Sequence, residues 1–144
     1  MRAARHFTEL LIWQIADELR VETLKLTSLP GIFRRYKFRD QVEDAADSIC
    51  RNIAEGFAAD THGQFAAYLR VSKRSLDELK DAFRSVAEKQ AAPAAMVAAA
   101  SKLERRLRPP LNRLIDYLER TPKQRNRPDR RPPSDDDGFY YRVE

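Results

Sequence analysis

Apolar residues recur along this chain at the alternating four- and three-residue spacing of an amphipathic helix, in four separate runs. From Thr8 to Thr27 the stripe is Ile12, Ala16, Leu19, Thr23 and Leu26. Thr8 is placed to cap the start of that helix, and Ser28, Leu29, Pro30 and Gly31 stop it. A basic connector leads into the second run, Phe38, Val42, Ala46, Ile49, Ile53 and Phe57, with Gly56 where a helix should end. Asp60 or Thr61 caps the third, whose stripe is Phe65, Leu69, Ser72, Leu76, Leu79, Phe83 and Val86. Ala91, Ala92 and Pro93 mark the next break. The fourth run is Met96, Ala100, Leu103, Leu107, Leu111, Leu114 and Leu118, interrupted by Pro109 and Pro110. A proline inside a helix removes a hydrogen bond and clashes with the carbonyl four residues back, at about 3 kcal/mol. A kink or break is therefore expected near Leu107.

Short connections favour antiparallel neighbours, so residues 1–119 are expected to form an all-α, up-down-up-down, antiparallel four-helix bundle. Past Glu119 the periodicity stops. Residues 120–144 are first rich in Arg and Pro, then acidic and aromatic, and predict an extended C-terminal tail with no core of its own. Phe139, Tyr140 and Tyr141 at its end are candidate anchors for a partner.

Composition narrows the function. The 144 residues suit one domain, and only 4 glycines leave a β-rich architecture short of turn residues. One cysteine and two histidines make neither a disulfide framework nor an ordinary structural zinc site. No apolar run approaches the roughly 20 residues that span a bilayer, so a cytoplasmic protein without a membrane partner is expected. The net charge of +5 is unevenly placed: residues 120–133 carry 6 Lys/Arg against 1 acid, and residues 134–144 carry 1 against 4. Such a basic stretch suits an anionic partner.

A second stripe runs beside the core stripe on the second and third helices. It is Gln41, Ala45, Ser48, Asn52 and Glu55 on one, and Val71, Ser75, Glu78 and Ala82 on the other. A solvated face would be richer in Lys and Glu. Gln41, Ser48, Asn52, Glu55, Ser75 and Glu78 are therefore read as a structural polar network between helices. Di-metal carboxylate bundles need Glu-x-x-His, whereas Ala58 follows Glu55 and Asp81 follows Glu78 at that spacing. No metal is expected.

Within this stripe, Ser48-Ile49-Cys50-Arg51-Asn52-Ile53-Ala54-Glu55-Gly56 resembles the S-I-x-x-N-I-A-E-G signature of the bacterial four-helix bundle proteins, a family named for proteins encoded in intervening sequences of 23S rRNA genes. Leu11 to Leu19 resembles the family's opening L-x-V-W-Q-x-A-x-E-L. Gln41, Phe65, Leu69 and Ser75-Leu76-Asp77-Glu78-Leu79 fit flanking positions. The resemblance covers roughly residues 7–118. It implies a four-helix bundle and a homo-oligomer, with a pentamer favoured. A related branch, the accessory variability proteins of diversity-generating retroelements, forms basic pentamers that bind a reverse transcriptase and its template RNA. The tail and Pro109-Pro110 depart from the family pattern.

Catalytic chemistry finds little material. His6 and His62 read as surface or capping residues, and Cys50 as a small buried residue beside the core stripe. No Gly-rich phosphate loop and no nucleophile-base pair emerges, so a non-enzyme without cofactor is expected. Candidate nucleic-acid-binding residues are Arg34, Arg35, Lys37 and Arg39 on the connector, Arg105, Arg106, Arg108 and Arg113 on the fourth helix, and Arg125, Arg127, Arg130 and Arg131 in the tail. Together these predict a homo-oligomeric accessory protein that binds RNA or another nucleic acid, with a reverse transcriptase as a further partner. The alternative is an interaction scaffold that recruits a partner through its tail without nucleic acid. A catalytic role for Asn52, Glu55 and Glu78 is the third and weakest reading.

Overall fold

The four apolar stripes become the buried faces of four long helices. A computed structural model describes residues 4–126. In it α1 is Leu11–Thr27, α2 Pro30–Phe33, α3 Tyr36–Phe57, α4 His62–Glu88 and α5 Ala94–Arg120, preceded by a 3-10 turn at Phe7–Glu9. Each long helix packs on two others, α1 with α3 and α5, and α4 with α3 and α5, while no Cα atoms of a diagonal pair come within 8 Å. That is a closed four-helix bundle. Gly56 lies against Phe65, Ile49 against Ser72 and Ser48 against Ser75, so positions rise on α4 as they fall on α3. Arg70 with Glu119 and Asp77 with Arg108 repeat the relation on α4 and α5. Both pairs are antiparallel.

All five stripe positions of α1 and all seven of α4 are buried. Phe38 and Phe57 at the ends of the α3 stripe, and Met96 and Leu103 on α5, are half-buried against the same core. Several local expectations are corrected. The α1 start is not capped by Thr8. His6 caps the preceding turn instead, its ring nitrogen 2.8 Å from Thr8 Oγ1, while the Glu9 carboxylate accepts from the Arg5 and His6 N–H groups. The connector is not all loop: Pro30 starts the short helix α2, and Lys37 and Arg39 already lie in the first turn of α3. Of the kink or break expected near Leu107, the break does not occur: α5 is one continuous helix through Pro109 and Pro110. Those prolines deny N–H partners to the carbonyls of Arg105 and Arg106, but both residues are exposed to water, and Pro110 is buried in the core.

Gly56 has a different reason from the one its position suggests. It is not left-handed, and α3 continues to Phe57. A Cβ at Gly56 would sit 2.4 Å from the ring of Phe65, which is fully buried, so glycine permits the close approach of α3 and α4. Gly56→Ala is expected to destabilise the protein by about 1–3 kcal/mol through overpacking, despite the roughly 1 kcal/mol helix preference of alanine. Thermal unfolding checks this, and an unchanged or higher Tm would refute it.

The chain past Arg120 also departs from a simple extended tail. Residues 121–126 fold back over the α3–α4 turn, and the reason is the orphan polar groups of two helix ends. The first N–H groups of α4, at His62 and Gly63, donate to the carbonyls of Gln124 and Pro122, both at 2.9 Å. Thr61 Oγ1 accepts from the Gln64 N–H, and Gln64 returns the bond to Thr61 N–H. At the other helix end the buried Asn126 donates to the carbonyls of Phe57 at 2.9 Å and Ala59 at 3.0 Å. Asn126→Ala should cost about 1–2 kcal/mol and lower Tm by several degrees. A truncation after Arg120 should lose more, since it also uncaps α4. If both proteins melt with the full chain, the returning segment contributes nothing to the bundle.

Candidate nucleic-acid interface

The interface begins where α2 hands over to α3. Pro30 presets the first turn of α2, and α2 ends at Phe33, leaving Arg34 and Arg35 to join it to the Tyr36 start of α3. The N-cap Arg35 makes no side-chain capping bond, and the first turn of α3 holds no acidic residue. Positive charge at a helix N-terminus opposes the helix dipole. Here Arg35, Lys37 and Arg39 accumulate at such an end, beside N–H groups that lack intrahelical partners. That arrangement is unfavourable in isolation and is relieved by an anion.

Two aromatic rings stand in the same cluster. Tyr36 is 63% exposed and Phe33 50%, the highest values among the large hydrophobic side chains described. Arg39 holds both, its guanidinium 4.5 Å from the Phe33 ring centre and 5.2 Å from that of Tyr36. Its Nη1 donates to the Phe33 carbonyl, and it pairs with Asp40 at 3.0 Å. Arg39 is therefore a support for the rings, only 19% exposed itself. Arg35 stacks over Phe38 at 4.6 Å. Arg34, Arg35 and Lys37 are exposed, and no carboxylate pairs with them among the described residues. The cluster thus offers three cations without a carboxylate partner and two rings that stay at least half exposed beside Arg39. Phe33 and Tyr36 went unread in the sequence, although aromatic and basic residues alternate through Phe33-Arg34-Arg35-Tyr36-Lys37-Phe38-Arg39.

The other predicted cations do not join this cluster. Arg105 and Arg106 are exposed on α5, which stands diagonally across the bundle from α3. Arg108 is committed: its Nη1 lies 2.6 Å from Asp77 and its Nε donates to the buried Glu104. Burial lowers the Arg108 pKa, but the bonds to Asp77 and Glu104 outweigh it and raise the value overall. Arg108 is a structural residue. Arg113 is exposed lower on α5. Arg125 pairs with Thr61 at the opposite end of α3, about 33 Å away at 1.5 Å per residue. Arg127, Arg130 and Arg131, and the aromatic residues Phe139, Tyr140 and Tyr141, lie outside the described residues.

The polar stripe divides in two. Asn52 is buried and donates to the Ser48 carbonyl at 2.8 Å and its hydroxyl at 3.0 Å, while Ser75 donates to Ser48 Oγ at 2.8 Å. Ser72, assigned to the core stripe, donates to the Ile49 carbonyl across the helix pair. Gln41, Glu55 and Glu78 are exposed and take no part in these bonds. Only the middle of the stripe lies deep between α3 and α4.

His62 is also corrected. It is fully buried, with Nδ1 3.0 Å from Thr121 Oγ1 and its ring beside Tyr117. Burial pushes the Cys50 thiol up to about 12, with the Asp17 carboxylate adding to the effect, so no thiolate forms near neutrality. No group of three or more metal-type ligands occurs among the described residues, and no helix there is long and apolar enough to cross a membrane.

The helices that carry the cluster and the serine–asparagine contacts fall within residues 8–111, which match the family described as 23S rRNA-intervening sequence protein. The chain belongs to that family. The match takes in α1 to α4 and most of α5, and stops short of the segment that folds back over the α3–α4 turn. For an intervening-sequence protein an RNA-related role is consistent with the exposed cations at the α2–α3 junction. No curated protein and no solved structure matches the chain.

Proposed function

We propose that this protein is a non-enzymatic RNA-binding accessory protein that works as a homo-oligomer and presents RNA to a reverse transcriptase. The observation that carries the RNA reading is the exposed pair Phe33 and Tyr36 set among Arg34, Arg35 and Lys37 at the start of a 22-residue helix. Phosphates meet the cations and the first-turn N–H groups, while unstacked bases lie on the rings. Stacking on an aromatic side chain contributes about 1–3 kcal/mol per base and tolerates any sequence. Because bases in a duplex do not reach such rings, single-stranded RNA is the favoured ligand. Repetition of the cluster in an oligomer multiplies weak contacts without any new one. The oligomer and the reverse transcriptase are supported by the resemblance of the Ser48–Gly56 signature and its flanking positions.

Fluorescence anisotropy with labelled single-stranded and duplex RNA, across a salt series, tests the RNA reading. Binding to single strands that weakens steeply with salt supports it, and equal or absent binding of both forms refutes it. Light scattering and copurification with a reverse transcriptase test the rest. A particle of 16.7 kDa, the monomer mass, would exclude the oligomer.

A further inference from the structure

A groove runs between the last turns of α4 and the first half of α5. Its floor is apolar, built by Phe83, Ala87, Val97 and Ala98, and it comprises one cavity of about 660 Å³ and an adjoining one of about 260 Å³. The larger is of a size that holds a drug-sized ligand. Alanines make it: Ala87, Ala94 and Ala98 stand where longer side chains would fill the space. The rim of the smaller cavity is cationic, with Lys80, Arg84, Arg105 and Arg108. Arg84 is shared with Asp81, and Arg108 with Asp77 and Glu104. Lys80 and Arg105 remain uncommitted. An apolar floor with a basic edge fits a short peptide that is acidic first and aromatic next.

This chain carries such a segment. Asp135-Asp136-Asp137-Gly138-Phe139-Tyr140-Tyr141 lies outside the described residues, and its order matches the groove. We propose that this acidic-aromatic segment docks in the α4–α5 groove of its own bundle, aspartates on Lys80 and Arg105, aromatic rings on the alanine-lined floor.

Length supports the assignment. Asn126 is fixed at the α3–α4 turn, beside the start of α4. From Gly63 to Arg84 the helix climbs about 32 Å, and to Ala87 about 36 Å, at 1.5 Å per residue. The intervening chain contains Pro128, Pro132 and Pro133. At the 3.1 Å per residue that proline-rich chains favour, Asp136 reaches about 31 Å from Asn126 and Tyr140 about 43 Å. The chain is therefore long enough to bring the acidic run level with the basic rim and the rings level with the larger cavity. Docking covers Arg105, so it removes one cation from any anionic ligand on α5. The proposal does not depend on RNA binding at α3.

Carbodiimide coupling of the full-length protein tests it, because that reagent joins a carboxylate to an amine only where the two are in contact. The expected product links Asp135, Asp136 or Asp137 to Lys80, identified by peptide mass spectrometry. It should form within one chain when isotopically light and heavy proteins are mixed. Arg105→Glu, a change at an exposed and unpaired position, should cut the yield several-fold, and Ala98→Arg should do the same by filling the floor. Coupling spread equally over Lys25, Lys73 and Lys102 would overturn the proposal. So would light-to-heavy products, which place the segment on a neighbouring copy, or an unchanged yield in both variants while circular dichroism shows each folded.

Discussion

Arg108→Leu is expected to lower the unfolding free energy by about 3 kcal/mol, a large share of the stability of a domain this size. Arg108 bridges Glu104 on its own helix and Asp77 on α4. The two carboxylates are not equivalent, since the Asp77 side chain is 59% exposed and that of Glu104 only 4%. Removing the guanidinium leaves Asp77 to water and strands Glu104 in the core without a counter-charge. The desolvation of that carboxylate, not the lost contact with Asp77, sets the size of the effect. Urea unfolding of Arg108→Leu, Glu104→Leu and the double variant separates these contributions. The double variant should recover most of the loss, because an apolar pair replaces a buried ion pair at little cost. Arg105→Gln, three residues earlier and exposed, should stay within about 0.5 kcal/mol of the parent. A single Arg108 variant as stable as the parent would show that Glu104 finds another partner.

The second large effect concerns the α2–α3 cluster. Changing Arg34, Arg35 and Lys37 together to Gln should remove about three phosphate contacts. At roughly 0.7 per phosphate for a single strand, the slope of log affinity against log salt should become shallower by about 2. The same slope makes the loss about 100-fold at 0.1 M salt, shrinking towards nothing near 1 M. Phe33→Ala with Tyr36→Ala should act differently, weakening binding by about 1–3 kcal/mol per base while leaving the salt slope in place. Arg39 is left unchanged in both sets, because it supports the rings and its loss would mix the two effects. Arg105→Gln with Arg106→Gln is the comparison for α5. If that pair flattens the slope and the triple does not, the RNA lies on α5 and the α2–α3 cluster is only a solvated patch.

The helices were legible because a periodic stripe is a local property of sequence. Ile12 to Leu26, Phe65 to Val86 and Ala100 to Leu118 repeat at helical spacing, and a helix that buries one face must place those residues inward whatever its neighbours are. The hydrogen-bonded part of the polar stripe was legible for the same reason: Ser48, Asn52 and Ser75 sit one step round the helix from the core. The family signature, Ser48 to Gly56, is equally local. The basic stretch from Arg34 to Arg39 could be read as a candidate site, since four cations precede the first acid.

What the sequence left open depends on which residues meet across helices. Arg105, Arg106 and Arg108 look alike in a basic run, yet only Arg108 faces Asp77, 31 residues away. Gly56 looked like a helix stop, and the reason for glycine there is the ring of Phe65 on the next helix. His62 and Asn126 read as surface or tail until residues 121–126 close over the α3–α4 turn, where unsatisfied N–H and C=O groups of two helix ends have to find partners. Pro109 and Pro110 were expected to kink or break α5, and no break occurs: Arg105 and Arg106, whose carbonyls lose their N–H partners, are exposed, and Pro110 is buried in the core. Sequence alone determined which face of each helix is apolar, because that needs only the helical repeat. The tertiary structure decided which charges are free to bind and which are held, because a side chain's neighbours on another helix follow from the packing register and not from its own spacing.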